Sequence, residues 1–429
     1  MTLGGAYPTA QAIEWQIEGG TEFGGYQHLD VAGNLQSRLP FGASFRVDAV
    51  GIPVAGDIGF HALLRYRNDF GLVNRDQFMY DNRIEILYGW LDWRSANKRV
   101  SLKGGRQYLF DLHRFEAVDG MEAEFALPMN LKIGILAGNP VTARDPLAAG
   151  VNTLDGPDEG GMNYGTLIQA RLQFQWLERT HLRLTYRNQF TFQSWQHALG
   201  FGASHSAGPL RLAGGITIDL LTKRVRGADA QVYARLTPNS ALGIRYSLVT
   251  PDFGVTAIAW AFSFKPYHEW VMRGNTMLGP IEYGVVSRIA LLTNGTLDGN
   301  GESIADLKGN DAATEVQMSW RLIRKQSRYG VAFQFDDGGG GLLVGPGLSV
   351  GIRNPKWLDL DFTVLALYNQ DDIQPGLTGW VLSVDARGTV RIGETARVRV
   401  VLSNYTTPFT PLQLRGRLEA VGRFAGGRS

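Results

Sequence analysis

From Leu412 to Phe424 the chain alternates between apolar and polar residues. Leu412, Leu414, Gly416, Leu418, Ala420 and Phe424 share one phase, and Gln413, Arg415, Arg417, Glu419 and Arg423 fill the other. A period of two puts these sets on opposite faces of a strand. A helix would need apolar residues at i, i+3 and i+4, and this segment lacks them. The same alternation appears at Phe41, Ala43, Phe45, Val47 and Ala49, with Arg46 and Asp48 between. It returns at Phe60, Ala62, Leu64 and Tyr66 opposite His61, Arg65 and Arg67, and at Leu182, Leu184 and Tyr186 opposite Arg183 and Arg187. Val232, Ala234 and Leu236 repeat it, as do Ile258, Trp260, Phe262 and Phe264, then Val316, Met318, Trp320 and Leu322. Leu360, Phe362, Val364 and Ala366 follow, then Ala396, Val398, Val400 and Leu402.

The segments run long, often about 10–12 residues, which matches the ~9–11 residues of a tilted strand crossing a bilayer. Short turns such as Pro128-Met129-Asn130, Gly208-Pro209 and Gly393-Glu394 alternate with long connections. The long ones are read at Asn139–Asn163, Asn294–Asp311 and Asp336–Gly341. This organisation predicts an all-β fold: a transmembrane antiparallel β-barrel of about 18–24 strands, with short periplasmic turns and longer outer loops. An even strand number is expected, and it is restored by reading Glu269–Thr293 as one strand plus an irregular stretch. The barrel is placed at residues 13–424, with 425–429 as a tail. Residues 1–12 end in Ala10-Gln11-Ala12, the A-x-A pattern of a signal-peptide cleavage site, and are read as the remnant of a leader. Such a chain belongs in the outer membrane of a Gram-negative bacterium, in contact with lipid and lipopolysaccharide.

Composition fits this picture. The 54 glycines point to many turns and strands. The absence of cysteine excludes disulfide scaffolds, thiolate zinc sites and iron–sulfur clusters. No run of 18 apolar residues is present, so no transmembrane helix is predicted. A net charge of +2 identifies no partner by its bulk field, and no aromatic–basic platform for nucleic acid appears. Tyr88, Trp90, Trp93, Trp176 and Trp357 sit near predicted strand ends, where amphipathic rings suit the interfacial girdles.

Charge matters by phase. If apolar residues face lipid, the opposite phase lines a lumen. That phase holds Arg46, Arg65, Arg67, Arg83, Arg171, Arg183, Arg187, Arg235, Arg245, Arg321, Arg397, Arg399, Arg415 and Arg417. Guanidinium forks bind carboxylates and phosphates in two-pronged geometry, so this set predicts a preference for anions. Acids in the same phase, among them Asp48, Glu85, Glu122, Glu124, Glu315 and Glu419, offer structural partners to some of these arginines.

One region carries a resemblance. Tyr88-Gly89-Trp90-Leu91-Asp92-Trp93, then Leu102-Lys103-Gly104-Gly105-Arg106-Gln107, then Val118-Asp119-Gly120-Met121-Glu122-Ala123, resemble the alginate-export type of outer-membrane protein. Val118 stands where that family has Phe. The resemblance covers about 36 residues, from Tyr88 to Ala123. It implies an 18-stranded monomeric barrel with an electropositive conduit for an anionic polysaccharide, fed by periplasmic export partners. Asp92, Arg106 and Gln107 match the motif. Asp92 and Arg106 share register with residues read as lipid-facing, and a bulge at Gly104-Gly105 is expected to turn Arg106 inward.

Other signals point to little chemistry. The seven histidines have no metal-ligand spacing, so no metal and no cofactor is expected. Asp298–Glu302 and Asp155–Glu159 are acidic turns rather than calcium loops. The favoured expectation is a non-enzymatic channel for passage or export of anionic solutes. The alternative is a barrel acting as a scaffold that sheathes a partner, as an adhesin, or as an enzyme.

Overall fold

The computed structural model describes residues 13–29, 35–53, 56–70, 83–111, 114–141, 165–176, 178–191, 194–249, 267–292, 312–338, 341–354, 356–371, 378–406 and 413–426. The leader remnant, the Ile258–Phe264 pattern and the loops Asn294–Asp311 and Asp155–Glu159 lie outside them.

The described residues form β-strands joined by turns. They are β1 (Glu14–Leu29), β2 (Leu35–Arg38), β3 (Pro40–Pro53), β4 (Gly56–Asp69), β5 (Arg83–Ser95) and β6 (Val100–Asp111). Next come β7 (Arg114–Leu127), β8 (Leu131–Val141), β9 (Gly165–Trp176), β10 (Thr180–Thr191), β11 (Ser194–Ala207) and β12 (Leu210–Asp219). Then follow β13 (Arg224–Thr237), β14 (Ser240–Val249), β15 (Tyr267–Leu278), β16 (Ile281–Leu292), β17 (Ala312–Arg324) and β18 (Ser327–Gly338). The last are β19 (Gly341–Asn354), β20 (Leu358–Asp371), β21 (Gly379–Ile392), β22 (Ala396–Thr406) and β23 (Gln413–Gly426).

Each strand pairs antiparallel with its chain neighbours, and β1 closes the ring by pairing with both β23 and β3. Tyr26 faces Arg38 and Phe23 faces Phe41 in one unbroken register, so β2 and β3 are two pieces of a single stave. The 23 strands therefore make a closed barrel of 22 staves. Closure leaves no sheet edge, which a backbone in hydrocarbon requires.

The even number arises differently from the sequence expectation. Glu269–Thr293 is not one strand and a loop: β15 and β16 are a complete hairpin turned at Gly279-Pro280. β14 pairs directly with β15. Asp336–Gly341 is also not a long loop, because β18 and β19 pair down to Gly338 opposite Gly341. β23 runs to Gly426, two residues past the expected end.

Most of the short turns share one end of the barrel with both strand termini, Glu14 and Gly426, while the turn at 220–223 and the tight β18–β19 end lie at the other. Their tightness has a local cause. Gly208 and Gly279 take φ of 58° and 60° and each precedes a proline, the order a type II′ hairpin turn accepts. Met129 and Asn130 both have positive φ, 65° and 57°.

Alternation fills the outside with apolar side chains, many of them well exposed, such as Phe45, Leu91, Ile135, Phe201, Leu348, Leu402 and Phe424. Rings gather at two levels. Trp176, Trp320, Tyr329 and Trp357 lie towards the short turns, and Trp195, Trp270 and Trp380 towards the other end. Tyr88 and Trp90 do not join a girdle. They pair with Leu63 and His61 on the inward phase. Leu402 lies mid-strand on the lipid face and Ser403 beside it faces in. Leu402→Arg should destabilise the barrel by roughly 2–4 kcal/mol, whereas Ser403→Arg should cost far less. Urea unfolding from lipid vesicles measures the difference.

Candidate functional site: the inward wall

Register carried around the ring gives each side chain a face. Arg46 lies opposite Leu63, Arg65 opposite Ser44 and Arg67 opposite Gly42. Arg171 pairs with Thr185, Arg183 with Gln173 and Arg187 with Gln169. Arg235, Arg245, Arg321, Arg397, Arg399, Arg415 and Arg417 continue in the same phase. Arg83 pairs with Arg67 at backbone level. Its side chain lies outside the described residues.

The arginines do not stand as a bare ladder, because acids in the same phase meet many of them. Arg288 reaches Glu269 at 3.0 Å and Glu315 at 3.8 Å, and Arg321 reaches Glu282 at 3.7 Å. Arg399 and Arg417 both hold Glu419, at 3.2 and 2.6 Å, and Arg417 also reaches Glu22 at 3.9 Å. Arg171 pairs with Glu122 and Arg391 with Asp359. Arg46 binds Asp48 at 2.5 Å, and Asp48 also meets His61 Nδ1 at 2.7 Å. Arg288, Arg391, Glu269, Glu282 and Asp359 are inward residues that sequence reading missed. Arg288 was lost because its strand had been read as irregular; alternation within Ile281–Leu292 would have found it.

The wall is also asymmetric. Inward side chains of Leu109, Val118, Leu136 and Leu167 form a buried cluster, 0–7% exposed. Beside it Gln107, Gln169, Arg187 and Gln189 are 0–5% exposed. Most of these residues lie from mid-strand towards the end opposite the short turns. By contrast, side chains of Arg46, Arg288, Arg321 and Arg417 are about half exposed, 45–55%. Half-exposed inward arginines thus stand on β3, β16, β17 and β23, whereas inward side chains are buried along the upper wall of β6–β10 and again at Leu367, Val381 and Thr389 on β20 and β21.

The motif residues fall in three places. Asp92 faces inward, not towards lipid. It pairs with Gly59 and Lys103, and its Oδ1 lies 3.3 Å from His61 Nε2. A Cβ at Gly59 would stand 2.2 Å from that oxygen, so a larger residue there would have to turn the carboxylate. Trp90 stacks on His61 with centroids 5.0 Å apart, and Lys103 Nζ lies 4.1 Å over its ring. Gln107 is inward and fully buried, with neither amide atom hydrogen-bonded. Arg106 keeps the outward phase. Gly105 has a φ of 124°, but the strand continues in register, so Arg106 pairs with Asp119 beside exposed Met121. The expected inward turn of Arg106 does not occur.

Among the described residues no group of three or more His, Asp or Glu is arranged to hold a metal.

No family model matches the chain, and no curated protein matches its sequence. Solved structures do. The ferric enterobactin receptor PfeA is 8% identical over 95% of this chain and 81% of its own, with a TM-score of 0.57. A mutant of that receptor from Pseudomonas aeruginosa gives 10% identity, 95% and 80% coverage and a TM-score of 0.54. The outer membrane protein OpdK from Pseudomonas aeruginosa gives 11% identity, 96% and 99% coverage and a TM-score of 0.44. These likenesses are of fold. With the closed ring, the apolar outside and the two aromatic levels, the receptor likeness gives the fold as an outer-membrane type of β-barrel.

A Gly105→Ala substitution tests the local geometry. A Cβ there would meet the Gly89 carbonyl oxygen at 2.2 Å and would hold a strained φ. The barrel should lose about 1–3 kcal/mol or more. Gly388→Ala, whose nearest neighbour would be Leu360 at 3.4 Å, should cost much less in the same unfolding experiment.

Proposed function

We propose that the protein is a non-catalytic outer-membrane channel whose lumen passes anionic solutes, an extended anionic polysaccharide among the cargoes that such chemistry takes. One observation supports this reading: inward arginines on β3, β16, β17 and β23, among them Arg46, Arg288, Arg321 and Arg417, keep side chains that are half exposed to the lumen, while Arg187 on the β6–β10 side is buried. A 22-stave ring is too wide for its own side chains to fill. A solute in the open part therefore runs past guanidinium groups. Their acid partners hold the side chains in place and weaken the field, so the preference for anions is modest and salt-dependent. Lipid and lipopolysaccharide are the outer partners of this reading. Periplasmic export partners would deliver a polymer if the cargo is one.

Single-channel recording across a salt gradient tests it. The reversal potential should show anion preference, strongest at low salt. Arg321→Gln with Arg417→Gln should move it towards cations, and Glu282→Gln with Glu419→Gln should move it the other way. A folded barrel without conductance, or a reversal potential indifferent to both pairs, would overturn the proposal.

A further inference from the structure

Among the described residues, the seam between β5 and β6 is thinly paired. β5 and β6 share only six backbone pairs, from Arg94–Ser101 to Gly89–Arg106. Beyond them both strands continue, yet Arg83–Tyr88 and Gln107–Asp111 do not pair with each other. The register of β5 slips at this height, leaving Leu87 opposite nothing on β4. Lone carbonyls in hydrocarbon are costly. A side chain fills part of the gap: Arg106 Nη1 donates to the Ile86 carbonyl oxygen at 2.9 Å. The same guanidinium grips Asp119 through Nε and Nη2, both at 2.7 Å. Away from strand ends, these two are the charged residues on the outward face among the described residues. Tyr88 and Tyr108 meet across the seam with ring centroids 6.2 Å apart.

We propose that this seam is a lateral port, latched by Arg106 where it bonds the Ile86 carbonyl and held for that bond by Asp119, which admits an anionic amphiphile: a carboxylate or phosphate head on an acyl chain. The chemistry follows from the latch. Asp119 is 43% exposed on the lipid side, so its place on the guanidinium can be taken from the bilayer by another anion. The acyl chain stays beside Leu91 and Met121, which are exposed there. Arg106 and Asp119 are direct partners in the β6–β7 ladder, so the contact that spans the seam is the one from Arg106 to the Ile86 carbonyl. A head that takes the place of Asp119 and draws the guanidinium off that carbonyl lets the unpaired ends of β5 and β6 part.

Barrels refolded into vesicles provide the test, with heat-modifiable gel mobility as the check of closure. Three diazirine probes are photolysed in turn: palmitate added from solution, phosphatidic acid built into the bilayer, and an uncharged alcohol of equal chain length. Labelled peptides are then mapped by mass spectrometry. The anionic probes should label residues 84–91 and 104–109 well above the alcohol. Arg106→Gln should cut this labelling about tenfold, the order expected for losing a charge-assisted hydrogen bond, and Asp119→Asn should raise it. The chain has no cysteine, so Tyr88→Cys with Tyr108→Cys, bridged by a short cleavable thiol reagent, isolates the seam. Bridging should abolish labelling of inward Trp90, and cleavage should restore it. Labelling by palmitate alone identifies a soluble cargo, and by phosphatidic acid alone a resident lipid. Equal labelling by the alcohol, or labelling unchanged in the Asp119→Asn and bridged proteins, would overturn the port. Conductance is a separate readout and does not bear on it.

Discussion

In hydrocarbon there is no water to receive an unpaired amide, and the rest of this structure depends on that. An open sheet would expose a row of N–H and C=O groups at each edge, each costing several kcal/mol. The ring closes instead, β1 against β23 on one side and against the β2–β3 stave on the other. Closure then dictates faces. Once strand pairing is fixed all the way round, every residue points either to lipid or to the lumen, and a slip of one residue would reverse a whole stave. That constraint carries polar residues as dissimilar as Arg46, Glu269 and Ser403 inward without any contact between them.

Inside, the same constraint brings charges together. Cross-strand neighbours on one face sit about 4.5–5.5 Å apart, so an arginine and an acid in matching phase on adjacent staves meet by default. Glu282 with Arg321, and Arg399 with Glu419, are direct partners in register. These pairs are part-exposed and contribute little to stability individually. Their effect is on the lumen: they hold guanidinium groups against the wall and temper the field a solute meets. The apolar cluster around Leu136 and Val118 does the reverse, turning part of the inward face into a buried surface.

The seam between β5 and β6 is the place where the backbone rule is relaxed. Elsewhere ladder hydrogen bonds seal the wall; here a guanidinium does so, bonded to a carbonyl and a carboxylate at once. A side-chain seal can be exchanged in a way that a ladder cannot. It also gives a physical role to Arg106 and Asp119, which the resemblance to an export family singled out without one.

What the sequence by itself determined is the alternation. Period-two patterning alone specified strands, their lipid and lumen faces and the inward phase of the arginines, because a bilayer tolerates few exceptions to apolar-out. It misread the places where local pattern and global pairing diverge. Glu269–Thr293 folds back at a tight Gly279-Pro280 turn, and only its pairing with β14 and β17 shows two staves. Tyr88 and Trp90 look like girdle residues, and the register slip at Leu87 places them inside. Asp92 and Arg106 seemed to share a face, yet they lie on opposite ones. Which arginine meets which acid, which wall is occluded, and where the ladder stops were decided by tertiary structure. They depend on register between strands distant in sequence, and a one-dimensional pattern does not contain it.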